Sequence, residues 1–280
     1  MDAINCNNKE SAINTQDNQW QADPKYKPDK ESTWNYPAAH DRWIHAHNCI
    51  RGEIRDFTGA LQSVKKYFPS LPSWAVMAIQ QVWHEHEAHV HSHHENEDLI
   101  MTPFLNTRIK LPEKLESDHK IICDRIDDIN LTIRELKEGD SADELLRGLK
   151  VYEETLLPHF LEEENIALPL MRCYFTKKEV AIVIHKMLSS SSAKSEMGSF
   201  IHYQTEQSFK EHFMKQEGIP GFVWFLVFWP KYNYFLENVM KLIDALKSGK
   251  KPETRPWCVN FISPFFTRGD DMHIFYKSST

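Results

Sequence analysis

HHENEDLIMTP (93–103) and HFLEEENIALP (159–169) decide how this chain folds. Each opens on a His, carries a Glu four residues later and ends in a Pro ten residues after the His: His93, Glu97 and Pro103 in one, His159, Glu163 and Pro169 in the other. On a helix, residues i and i+4 stand one above the other on the same face. A His and a Glu so placed reach one ion or two adjacent ions. A single HxxxE is commonplace and usually solvated. Two copies with the same Pro offset are much harder to produce by chance. Flanking apolar residues, Leu99 and Ile100 after the first and Leu156, Phe160 and Ile166 around the second, place both pairs on inward faces.

Outward from these segments, the periodicity predicts four long helices. One starts after Pro37 and runs to about Tyr67, with Trp43, Ile44, Ile50, Ile54, Phe57, Leu61 and Val64 at helical spacing. FPSLPS (68–73) is a turn, and Ser73 is a candidate cap for a second helix from about Trp74 to Thr102, which Pro103 ends. A third covers about Glu113 to Glu138, before the break GDS (139–141). A fourth runs from about Ala142 to Leu168, ended by Pro169. Each HxxxE helix follows a helix with its own candidate ligand, His47 before His93 and His119 before His159. Long helices with short connections predict an all-α chain: an antiparallel up-down four-helix bundle with additional C-terminal helices. Residues 1–36 read as a polar, irregular arm and 37–172 as the bundle. Residues 173–280 read as a helical extension, opened by a cap at Thr176 and closed by an irregular tail.

Composition sets the limits. The chain has 280 residues, 41% of them hydrophobic, which is enough for a packed core. A net charge of −7 argues against nucleic acid as the main partner. No apolar run approaches the roughly 20 residues that span a bilayer, and GFVWFLVFWP (221–230) is too short. The N-terminal stretch has neither an apolar segment nor an Arg-rich pattern, so no targeting peptide is read there. Five widely spaced Cys argue against a disulfide framework or a structural zinc site and suggest a reducing, cytoplasmic setting. The unusual number is 15 His, six of them between His84 and His94.

Two hairpins packed face to face would bring His47, His93, His119, His159, Glu97 and Glu163 to the centre. Imidazole and carboxylate in this number suit two iron ions, or manganese or a mixed pair, better than a thiolate metal. A single zinc takes four ligands and would leave two of the six polar groups buried without a partner, which is costly. Metal binding is therefore expected to couple to folding.

HNCIRGEI (47–54), HHENEDLIMTP (93–103), DHKIICDRI (118–126) and HFLEEENIALP (159–169) resemble the hemerythrin-like, HHE cation-binding family over roughly residues 38–170. The resemblance implies an oxo- or hydroxo-bridged di-iron centre. It assigns His47, His93, His119 and His159 as nitrogen ligands, with Glu97 and Glu163 as bridging carboxylates. Oxygen-carrying hemerythrins use a further His near the third-helix ligand, where this chain has Cys123. The chain is thus more similar to hemerythrin-like proteins of iron repair, nitric oxide or sensing.

Other residues carry weaker signals. His94 competes with His93 for the motif, and His40 and His45 compete with His47. His86 and His89 share the stripe of His93, and Tyr152 holds the matching place before His159, so these three are candidates to line access, relay protons or hydrogen-bond a ligand. Arg51 lies one turn from His47. His202 and His212 read as structural, and the aromatic run Phe222–Trp229 as a core helix covering the bundle, a substrate pocket, a homodimer face or a membrane-surface patch. Three functions are consistent with this set. The first is a di-iron oxidoreductase acting on O2 or peroxide with an electron donor. The second is a sensor of iron, O2 or NO. The third is an iron storage or repair protein. An extension that closes over the metal and leaves a pocket would favour the enzyme.

Overall fold

The computed structural model of the protein describes residues 20–28, 33–190, 195–215 and 217–252. It is mostly helical. The four long helices are α1 (Arg42–Tyr67), α2 (Ser73–Asn96), α3 (Glu113–Glu135) and α4 (Asp143–Asn165). They pack in a closed ring: α1 against α2 and α4, and α3 against α2 and α4. Inside it lies a continuous apolar core, with Ile50, Phe57, Leu61, Ile79, Ile122, Ile126, Leu149 and Leu156 at most 1% exposed. No described helix is long and apolar enough to cross a membrane.

Helix ends differ from the periodicity in informative ways. Helix α1 begins at Arg42 because Asp41 caps it, its carboxylate accepting from the Trp43 amide at 3.2 Å; Ala38–His40 is a separate 3-10 turn. Neither Pro103 nor Pro169 ends its helix. After Asn96 the chain widens into one π-helical turn, Glu97–Met101, and then continues as Thr102–Leu105 with Pro103 inside it. Proline lacks a donor and crowds the carbonyl four residues back; a wider turn just upstream relieves that crowding. Helix α4 stops at Asn165, and Pro169 sits in the first turn of α5 (Ala167–Tyr174), where its missing N–H removes no bond. Leu99 is 65% exposed rather than inward, because the π turn rotates it outward, while Ile100 and Ile166 keep apolar company.

The described part of the arm, residues 20–28 and 33–36, packs on the rest of the chain although the segment reads as polar and irregular. Gln21–Ala22 pairs antiparallel with Ile109–Lys110, and Trp20, Tyr26, Trp34 and Tyr36 pack on a second apolar cluster around α5. The Trp34 indole donates to the Phe175 carbonyl at 3.1 Å. Beyond α5 follow α6 (Lys177–Ser190), α7 (Glu196–Gln204), α8 (Trp229–Phe235) and α9 (Lys241–Ser248). Thr176 caps α6 as the sequence predicts, in a reciprocal box. Its amide and hydroxyl reach Glu179 Oε2 at 2.8 Å, and the Glu179 amide returns to the Thr176 hydroxyl. Tail residues 253–280 lie outside the described residues. Among the described residues Cys49 and Cys123 are free thiols, whereas Cys173 is disulfide-bonded.

The extension is fused to the four long helices. Helix α9 packs on α1 and α2, and Phe235, Val239, Ile243 and Leu246 join the main core. Helix α7 crosses α1 at Gly52, where an added Cβ would lie 2.3 Å from the Tyr203 ring. Asp56 of α1 then accepts from Tyr203 Oη at 3.0 Å and Lys247 Nζ at 2.8 Å.

A buried polar chain ties α1, α2 and α4 together. Glu53 takes His86 Nδ1 and His89 Nδ1 on its two oxygens, each at 2.8 Å, and His86 Nε2 meets the Tyr152 hydroxyl at 3.1 Å. Burial alone would raise the Glu53 carboxyl, but the His89 charge and both imidazole hydrogen bonds outweigh it and hold it at about 2. Burial would lower His89, but the Glu53 charge wins and raises it. Removing one partner of such a pair strands the other, so Glu53→Gln should cost about 3 kcal/mol in denaturant unfolding. The carboxylate contributes above its ordinary 4.5 and loses its effect as pH falls toward about 2. The imidazolium contributes below its ordinary 6.5 and loses its effect as pH rises through its raised value. The gap between wild type and Glu53→Gln should therefore be widest between pH 4.5 and 6.5; a gap that keeps widening above that window would refute the charged pairing.

Candidate metal centre

Seven buried side chains converge where the four long helices face one another. His47 comes from α1, His93 and His94 from the last turn of α2, Glu97 from the π turn, His119 from α3, and His159 and Glu163 from α4. They form two groups with ligand atoms within 4.8 Å of one another: His47, His93, Glu97 and Glu163 in one, His94, Glu97, His119 and His159 in the other. Glu97 belongs to both, with Oε1 3.4 Å from His93 Nε2 and Oε2 3.6 Å from His119 Nε2. Glu163 also straddles the groups: Oε2 is 3.2 Å from His47 Nε2, and Oε1 is 3.5 Å from His159 Nε2 and 3.7 Å from His119 Nε2.

Nine polar atoms of these seven side chains have no hydrogen-bond partner, among them His47 Nε2, His93 Nε2, both His94 nitrogens, Glu97 Oε2 and Glu163 Oε2. One such buried atom costs about 1–3 kcal/mol, so a converging set is a large unmet demand that cations would meet. The donors are imidazole and carboxylate with no thiolate, a set that suits iron, manganese or zinc. Four donors around each of two positions, with one carboxylate common to both, fit two ions better than one.

Partners on the outer side of the ligands aim the rings. His47 Nδ1 lies 2.8 Å from Glu164 Oε1, which also accepts from Arg51 at 2.6 Å. His119 Nδ1 lies 2.8 Å from Asp98 Oδ1. A carboxylate on the far nitrogen turns the other nitrogen toward the metal and makes it more basic. The His47 ring stacks on Phe160 at 4.1 Å, and His94 stacks on His119 at 4.3 Å.

Electrostatics follow from crowding. Burial, reinforced by neighbouring imidazoles, pushes His93 and His94 well below the usual histidine range, so both stay neutral and able to donate a lone pair. Burial also lowers His159. Burial and then the Glu163 charge push the Glu97 carboxyl well up. For Glu163, burial acts upward, but the adjacent His119 and His47 imidazoles outweigh it and hold its carboxyl well below the usual range. Burial would lower His119, yet Asp98 and Glu163 raise it to about 10.

All six residues proposed from spacing lie in the two groups. The seventh, His94, does not displace His93; the two flank the seam, His93 facing His47 and His94 facing His119 and His159. Asp98 and Glu164 were missed, although a second acid directly follows the motif Glu in both segments, Glu97-Asp98 and Glu163-Glu164. His40 is exposed beside His212, and His45 packs on Phe200, so neither joins the centre. His86, His89 and Tyr152 hydrogen-bond through Glu53 and touch no ligand, though His89 lines a cavity that reaches His93. His84 is exposed and pairs with Glu87, and exposed His91 meets Cys123 Sγ at 3.9 Å.

Residues 38–171 match the family model of the hemerythrin HHE cation binding domain. No curated protein and no solved structure matches the chain.

Separate groups predict separable losses. His94→Ala and His47→Ala should each leave about one tightly held cation per chain, whereas Glu97→Ala should weaken both, as read by metal analysis after gel filtration. Retention of two cations in His94→Ala would remove His94 from the ligand set.

Proposed function

We propose, from the premise that residues 38–171 are a hemerythrin HHE cation binding domain, that this chain holds two iron ions and binds or activates O2, peroxide or NO as an oxidoreductase. The domain layout accompanying this reading is an arm over 1–36, an antiparallel up-down four-helix bundle over 37–172 and a covering extension over 173–280. The observation that carries it is the sharing of Glu97 between two buried donor groups, with Glu163 straddling the same gap. Two carboxylates between two sets of imidazoles are what a bridged pair of redox-active ions needs. Manganese or a mixed pair would use the same donors.

Iron bound here would supply an open position for a small oxygen or nitrogen ligand and the capacity to change valence. The chain's own residues do the rest. Glu164 and Asp98 hold His47 and His119 in one orientation as charge changes. Phe160, Trp43 and the extension keep bulk water from the ligands. Helix α6 leans on the π turn that presents Glu97, so the extension covers the centre and leaves a cavity beside His93 and Glu97. A simple carrier has no need of such a cover, which favours turnover.

Storage or sensing of iron is the second reading. A small polar cavity of about 50 Å³ runs from Glu97, His119 and Glu163 to Lys110, Glu113 and Glu116, a suitable route for a hydrated cation. The free thiols Cys49 and Cys123 support the cytoplasmic setting of this reading, and the Cys173 disulfide opposes it.

Aerobically purified protein should contain about two irons per chain and show oxo-bridge absorption in the near ultraviolet. The bands should bleach with dithionite and return with peroxide consumed. A stable reversible adduct without consumption would move the assignment to sensing, and one zinc or no metal would overturn it.

A further inference from the structure

We propose that the cavity between α1 and the extension is a binding site for a small, mainly apolar organic molecule held next to the dinuclear centre. The proposal rests on the reading of that centre and adds the class of its substrate. The cavity measures about 90 Å³. A single water needs about 10–15 Å³ on this scale, and a dry cavity of about 150 Å³ takes up benzene. The space therefore suits a molecule of about benzene size or smaller, or the apolar end of a longer one.

Its lining separates it from the polar cavity on the other side. Met101, Met171, Met187 and Met197 all face it, together with Phe200 and Phe213. Four of the nine methionines of the chain thus gather around one space. Methionine side chains are unbranched and polarisable, and they fit ligands of varied shape. The polar cavity, in contrast, is edged by Lys110, Glu113 and Glu116 and reaches His119 and Glu163. Among the described residues, only Trp43 and the ligand Glu97 border both spaces. Trp43 therefore partitions the two approaches: water and cations on one side, an apolar molecule on the other.

The apolar space reaches the centre at His93 and Glu97, both in the group that also contains His47 and Glu163. Asp41, Arg42, His89, Asn96 and Glu196 also border the space, but Asp41 is paired with Arg172 and Arg42 with Glu217, so a ligand with one polar end would turn that end toward His93. The far wall belongs to the extension: Ile184 and Met187 from α6, Met197 and Phe200 from α7, and Phe213. That wall is anchored, because Glu196 accepts from Ser92 of α2 at 3.1 Å and Arg42 pairs with Glu217 while lying over the Phe213 ring. The four long helices alone would leave this face of His93 open to water.

Methyl-labelled methionine NMR on the full chain, reloaded with zinc as a diamagnetic stand-in, tests this directly. Benzene should shift the methyls of Met101, Met171, Met187 and Met197 saturably, and urea should not. Ala46→Leu, which fills the cavity from α1, and Met197→Phe, which fills it from α7, should each weaken benzene binding about tenfold without changing cation content. Absence of saturable shifts, equal affinity in both variants, or uptake of xenon but not of benzene would overturn the proposal. Cation content measured on the same samples keeps the two readings apart. Two cations without benzene binding sinks the pocket alone, and benzene binding without two cations sinks the centre and leaves the pocket.

Discussion

Two carboxylates suspended between five imidazoles, all buried, are the constraint on which the rest of this molecule depends. Burying that many unpartnered lone pairs opposes folding unless a cation collects them. Everything around the centre can be read as a response. Acids on the outer nitrogens fix ring orientation, Phe160 fills the space beside His47, and the ring of four helices supplies one or two donors from each wall. A cation collected there would favour the folded chain, and the folded chain would hold the cation.

The π turn at Glu97–Met101 shows how local backbone serves this centre. Glu97 stays one turn from His93, so the sequence spacing survives. The extra residue is absorbed immediately after, where Pro103 demands it, and the chain leaves in a new direction toward the pairing segment Ile109–Lys110. Helix α6 packs on the same turn. Movement of Glu97 as ions change charge would thus be felt by the extension through one short piece of backbone.

A second buried network, Glu53 with His86, His89 and Tyr152, is a separate device. It satisfies its own hydrogen bonds and needs no ion, which distinguishes it from the centre a turn away. The contrast explains why a histidine-dense helix yields two different structures. Where an acid from α1 meets the rings, they pair with it; where the acids come from the π turn after α2 and from α4, lone pairs are left over for cations.

The long helices and six of the seven residues of the centre were legible in the sequence, because i, i+4 spacing places side chains without knowledge of the partner helix. The capping box at Thr176 was legible for the same reason, being a contact within one turn. Sequence could not place His94 beside His93, since two neighbouring residues point about 100° apart and both reach the centre only if the helix presents its edge there. Nor could it read the docking of Trp20, Tyr26, Trp34 and Tyr36, which gain their value from an apolar cluster around α5. By itself the sequence determined the helices, the repeated ligand pairs and the kind of donor. Only the tertiary structure decided that the donors divide into two groups sharing Glu97, that Asp98 and Glu164 orient the rings, and that the extension closes a cavity over His93. These are relations between helices far apart in the chain, set by packing and by the need to partner buried polar atoms, and no local periodicity encodes them.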